Sequence, residues 1–191
     1  MKEKINKLVE IYAAFDQETR QYRSQEACGK GCSLCCSHAG SIDITTLEGL
    51  AIQTALEALP VPVQKTLKCN LRQETRHREK LETVPCPFLL KTGVCTIYDA
   101  RPFSCRRITS LHACSTDRPP ELHRQVMALA DKRIHELQRM DDTGYSGHIS
   151  FVLGLLDTQS FRRVYLGGDF RPRDIMDYGK THRIFINRMV S

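Results

Sequence analysis

A chain of 191 residues, 41% hydrophobic and 26% charged, has room for one hydrophobic core and reads as a single globular domain. No window offers the 18 or more apolar residues of a membrane span, and the Met1-Lys2-Glu3-Lys4 start leads into no apolar leader stretch, so a cytoplasmic protein without a membrane partner is expected. The formal charge of +6 counts every thiol as neutral; one four-thiolate metal site would lower it to about +4 and two to about +2, so the basic balance is weak support for a nucleic-acid partner.

The first element is an amphipathic helix over residues 1–23, with Ile5, Leu8, Tyr12, Phe15 and Tyr22 at three- and four-residue steps. Residues 27–40 break all periodicity and form a small, glycine- and cysteine-rich binding loop. Ile42-Asp43-Ile44 alternates as a very short strand. Thr45 and Glu48 have capping-box spacing and start a helix from Thr46 to Ala58 that buries Leu47, Leu50, Ala51 and Leu56. After Pro60 and Pro62, a charged helix over 63–83 turns Val63, Leu67, Leu71 and Leu81 inward. Phe88-Leu89-Leu90 and Val94 to Tyr98 flank Lys91-Thr92-Gly93 as a β-hairpin. Asp99 to Pro102 opens a helix. Another helix follows Pro119-Pro120, with Leu122, Val126, Leu129, Ile134 and Leu137 at core spacing. His148 to Leu156 is helical, and the stretch carrying Gly167, Gly168, Pro172 and Gly179 reads as irregular.

Nine cysteines are too few for a small disulfide scaffold and odd in number; in a reducing compartment such clusters point to metal or redox chemistry. One group is Cys28-x3-Cys32-x2-Cys35-Cys36. The other is Cys86, Cys95 and Cys105, with Cys114 nine residues further, while Cys69 stands alone on a helix. Gly29 and Gly31 let the first segment curl so that sulfurs and backbone N–H groups approach one point. Cys35 and Cys36 are adjacent, so their side chains diverge and seldom reach one ion together; either they serve two metals or one of them packs or stays reactive. Cys32-Ser33-Leu34-Cys35 lacks the strand–helix setting of a thioredoxin-like pair. The spacing Cys28-x3-Cys32-x2-Cys35 also matches the signature of radical S-adenosylmethionine enzymes, but the repeated β–α units of their barrel are missing. Pro87 holds Cys86 extended, and Cys105 falls near a helix N-terminus, which favours thiolate. Arg101, Arg106 and Arg107 crowd the second segment, where they neutralise thiolates, bind an anion or cap the fold. His38 and His112 are alternative ligands.

The order Cys28-x3-Cys32-x2-Cys35-Cys36, Cys86-Pro-Phe-Leu, Gly93-Val-Cys95-Thr-Ile-Tyr98 and Arg101-Pro-x-x-Cys105-Arg106 resembles the YkgJ-type cysteine-cluster family of zinc- or iron-chelating domains. The resemblance covers residues 28–106. It implies eight metal-binding cysteines, here Cys28, Cys32, Cys35, Cys36, Cys86, Cys95, Cys105 and Cys114. Proteins described as flagellin lysine N-methylases share it, which implies a methyl-transfer alternative.

The resulting expectation is a mainly α fold with a small β-hairpin, organised around a cysteine metal cluster. Residues 28–114 form its core, with the helix of 1–23 before it and a helical or irregular extension over 115–191. The favoured function is binding of an iron–sulfur cluster or iron with redox or group-transfer chemistry. The alternatives are a zinc-stabilised module that meets a protein partner without catalysis, and an S-adenosylmethionine-dependent methylase-like enzyme.

Overall fold

Helix α1 (Lys2–Thr19) buries Leu8, Ile11, Phe15 and Thr19 along one face, and a turn of 3-10 helix, Arg20–Tyr22, extends it. The computed structural model describes residues 1–23, 27–29, 31–38 and 42–183. Within these, α1 is followed by α2 (Leu34–Ser37), β1 (Asp43–Thr45), α3 (Thr46–Glu57), α4 (Val61–Arg78), α5 (Phe103–Arg106), α6 (Arg124–Met140), β2 (Ser146–His148), α7 (Ile149–Asp157), α8 (Gln159–Leu166) and α9 (Pro172–His182). No helix among the described residues is long and apolar enough to cross a membrane.

The fold is mainly helical, with one antiparallel two-stranded pairing. Asp43, Ile44 and Thr45 of β1 face His148, Gly147 and Ser146 of β2. The expected hairpin over residues 88–98 narrows to one antiparallel bridge, Leu89 to Cys95. Gly93 makes its turn at φ +80°, a conformation that only glycine adopts without strain.

Two apolar clusters hold the layers together. In one, α1 packs on α6 through Leu8, Ile11, Phe15, Val126, Ala130 and Leu137, joined by Leu47 and Phe103. In the other, α3 packs on α7 and gathers Ile44, Ile52, Leu67, Phe88, Ile97, Ile149, Val152 and Leu156. The helices touch at Gly49, where a Cβ would lie 2.7 Å from Leu156 Cδ1. Burial of this apolar surface is the main stabilising term.

The capping box forms as its spacing predicts. Thr45 Oγ1 accepts the Glu48 N–H, and Glu48 Oε2 accepts the Thr45 N–H at 2.9 Å. Helix α4 starts at Val61, because Pro60 and Pro62 suit its first turn, and ends at Arg78. Leu81 therefore lies beyond the helix at φ +63°, and is 93% exposed instead of buried. Leu122 precedes α6 and bridges to Ser110 instead of lying on the helix. The stretch expected to be irregular, from Gly167 to Gly179, carries most of α9, and α8 lies just before it. Pro172 is tolerated in the first turn of α9, and Gly179 is buried by close packing. Residues 184–191 of the C-terminal extension, and Lys30, Ala39 and Gly40 of the cysteine loop, lie outside the described residues.

Candidate metal centre

The cysteine loop is tied to two distant segments by backbone hydrogen bonds. Ala27 N–H donates to Ser110 O at 2.9 Å, and Ser110 N–H donates to Cys28 Sγ at 3.1 Å. Ser110 is fully buried, and its hydroxyl oxygen accepts the N–H groups of His112 and Glu121. This organises the turn that carries Cys114. On the other side, Cys86 N–H donates to Cys36 O at 2.8 Å. The tip of the 88–98 turn also meets the loop: a Cβ on Gly93 would stand 3.5 Å from Ser33 Oγ and 3.7 Å from Gly31 O. Gly31 itself turns at φ +99°, and Cys32 N–H closes on Gly29 O at 3.0 Å. The two cysteine segments are thus spatial neighbours.

Individual sulfurs are prepared for negative charge. The backbone N–H groups of Phe88 and Ile97 favour the thiolates of Cys86 and Cys95. Both donors lie two residues after their cysteine, and buried Phe88 and Ile97 side chains anchor them. N–H groups near sulfur stabilise thiolates that bind metal. Arg101 adds a cation: its guanidinium carbon lies 3.7 Å from the Tyr98 ring centroid, and its field favours the thiolates of Cys35, Cys95 and Cys105. Arg106 also borders the cysteine cavity, but its guanidinium, like that of Arg107, is engaged by other groups. Arg106 binds the carbonyls of Arg101 and Asp99 and the Asp16 carboxylate, and Arg107 lies 3.7 Å from Asp131.

Without a cation, burial wins over these donors. It pushes the Cys86 thiol up to about 12 and raises Cys28, Cys95 and Cys105 as well. The adjacent thiols of Cys35 and Cys36 act on each other, which lowers the pKa of Cys35 and raises that of Cys36. A bound cation reverses the burial effect, since a coordinating thiol loses its proton.

Cys28, Cys32, Cys35, Cys105 and Cys114 border a cavity of about 560 Å³, together with Arg101, Ile108 and Pro119. Cys32 and Cys35 are exposed, and Cys28, Cys36, Cys86, Cys95, Cys105 and Cys114 are half-buried. Cys69 sits exposed on α4 among Lys65, Lys68 and Arg72, apart from the cavity. His38 borders the cavity, with Nδ1 3.2 Å from Leu34 O; His112 Nδ1 lies 2.9 Å from Ala113 O. Among the described residues, no three His, Cys, Asp or Glu side chains already surround a single point closely enough to grip an ion. The donor set, soft sulfur with N–H groups aimed at it, nevertheless fits zinc or iron.

Sequence reasoning missed the clamp by Ser110, which no spacing signals. It also missed the donors Phe88 and Ile97, although a backbone N–H two residues after each cysteine was there to be considered.

A family model described as "Putative zinc- or iron-chelating domain", titled CxxCxxCC, matches residues 27–123, about half of the chain. The chain places three residues between Cys28 and Cys32 where that title has two. No curated protein and no solved structure matches the chain.

Proposed function

We propose that this chain, which belongs to the CxxCxxCC family of zinc- or iron-chelating domains, binds its metal as an iron–sulfur cluster held by cysteine thiolates at the cavity. Metal binding is the family's property; the cluster is our reading. The observation that carries it is the cavity of about 560 Å³ bordered by five cysteines. A single ion would replace sulfur–sulfur contact and needs no such space, whereas an iron–sulfide core has volume of its own. When bound, the cluster supplies one-electron chemistry.

The chain's own residues have defined roles in this reading. Cys28, Cys32, Cys35 and Cys114 present sulfur to the cavity. Ser110 N–H orients Cys28. Arg101, stacked on Tyr98, offsets thiolate charge. Ile108 and Pro119 cover part of the wall and limit water there. A zinc reading is favoured by a different observation: Cys36, Cys86 and Cys95 do not border the cavity, and a tight thiolate group suits a closed, structural ion.

The test is anaerobic purification followed by iron and acid-labile sulfide analysis with a visible spectrum. A brown protein with matched iron and sulfide is expected. A colourless protein holding stoichiometric zinc, and taking up no iron and sulfide on reconstitution, overturns the cluster.

A further inference from the structure

Eight clustered thiols are twice what a four-coordinate ion takes, and the fold sorts them into two surroundings. Cys86, Cys95 and Cys105 pack against the apolar cluster around Phe88 and Ile97. Cys36 belongs with them, since its carbonyl accepts Cys86 N–H at 2.8 Å. Cys28, Cys32, Cys35 and Cys114 border the cavity instead, and Cys32 and Cys35 are exposed. Ser110 N–H, on the segment that leads to Cys114, donates to Cys28 Sγ at 3.1 Å. Cys105 touches both surroundings, and the adjacent residues Cys35 and Cys36 fall on either side of the boundary.

We propose that the eight cysteines form two metal sites of different lability: an inner structural site of Cys36, Cys86, Cys95 and Cys105, and an outer exchangeable site of Cys28, Cys32, Cys35 and Cys114. The proposal rests on the reading that these thiolates bind metal, and does not depend on the outer group being an iron–sulfur cluster. Its physical basis is access. Three of the inner thiols pack on the core, whereas among the outer four Cys32 and Cys35 are exposed and Cys28 and Cys114 are half-buried at the cavity. Releasing an inner ion opens the seam between the cysteine loop and the 86–105 segment. The outer thiols face a cavity open to solvent, where a chelator or another thiol can approach without disturbing the core. The vicinal pair gains a purpose, with one member serving each site.

Zinc is the probe. The full chain is loaded anaerobically, and zinc is counted by elemental analysis. Release to excess chelator is then followed alongside far-UV circular dichroism. We expect two zinc ions per chain and two release phases, at least tenfold apart in rate. The fast phase should leave the helical signal intact, and the slow one should track its loss. The double variant Cys28→Ser/Cys114→Ser should lose only the fast equivalent. If Cys86→Ser/Cys95→Ser fails to fold, the slow phase of the parent chain still decides. One zinc per chain, or two released in a single phase, overturns the two-site proposal while leaving metal binding intact. No bound zinc overturns both.

Discussion

Glu48 Oε1 accepts the backbone N–H of Phe103 at 2.6 Å, two residues before Cys105. The same carboxylate takes the Tyr12 hydroxyl at 2.8 Å and the Thr45 N–H at 2.9 Å, so one buried side chain joins α1, α3 and α5. Burial raises its pKa while these donors hold it down. The turn that presents Cys105 is therefore fixed from behind, by a residue whose capping role alone is visible in the sequence.

Glu48→Ala should destabilise the chain by about 3 kcal/mol, because several buried donors lose their acceptor together. Tyr12→Phe removes one of those bonds and should cost about 1 kcal/mol. Urea denaturation of the zinc-loaded protein measures both. If the Glu48 variant is within 1 kcal/mol of the parent, the keystone role is wrong.

What could be read from residues alone divides along physical lines. Local signals held: the Thr45–Glu48 box, the prolines before α4, the stripe of Leu8, Tyr12 and Phe15, and the glycine turn at Gly93 all depend on a few consecutive residues. Non-local pairing did not. Nothing near Asp43 announces that β1 will find Ser146–His148 a hundred residues away, and nothing near Cys28 announces Ser110. Helix α9 was missed because glycine and proline were weighed as breakers, although Pro172 stands in the first turn and Gly179 is buried. The cysteines were legible as a set because thiols at short spacing have few other uses; which of them border the cavity needed the fold.

Gly49→Ala tests the packing of α3 on α7. The new methyl would lie 2.7 Å from Leu156 Cδ1 and 3.1 Å from Val152 Cγ1. Alanine is favoured over glycine in a helix by about 1 kcal/mol, while overpacking costs about 1–3 kcal/mol. A net loss of about 1 kcal/mol is expected, or roughly 2–4 °C in Tm. Adding Leu156→Ala makes room for the methyl, so the double variant should be more stable than the sum of the single effects. Strict additivity in thermal denaturation would refute the close approach.

Cys69→Ala should retain all metal and shift stability by less than about 0.5 kcal/mol, since the residue is exposed on α4 and outside the cavity. Cys32→Ala and Cys105→Ala should each lower the metal content, and Cys105→Ala should also lower stability because inner metal and fold are coupled. Elemental analysis of the three variants side by side gives the answer; metal loss from the Cys69 variant would mean that the ligand set is misassigned.

His148 makes acid sensitivity specific. Its side chain is buried against Glu74, Ser150 and Phe151, with Nδ1 2.7 Å from Ser150 Oγ and Nε2 3.6 Å from Glu74 Oε1. Glu74 in turn binds Arg78 and the Ser150 hydroxyl. Burial first, and then the Arg78 charge, pull the His148 pKa from 6.5 down to about 3. The folded state therefore refuses a proton that the unfolded chain accepts. Stability from this residue is present above pH 6.5 and falls as the pH drops from 6.5 towards 3, by about 1.4 kcal/mol per pH unit. His148→Asn keeps an acceptor for the Ser150 N–H and removes the titration. Subtracting its urea-unfolding stability from that of the parent at each pH cancels acid effects common to both, including thiolate protonation. The difference should be flat above pH 7 and decline steadily between pH 6 and pH 4. A flat difference across that window would show that His148 takes up its proton without opening the fold.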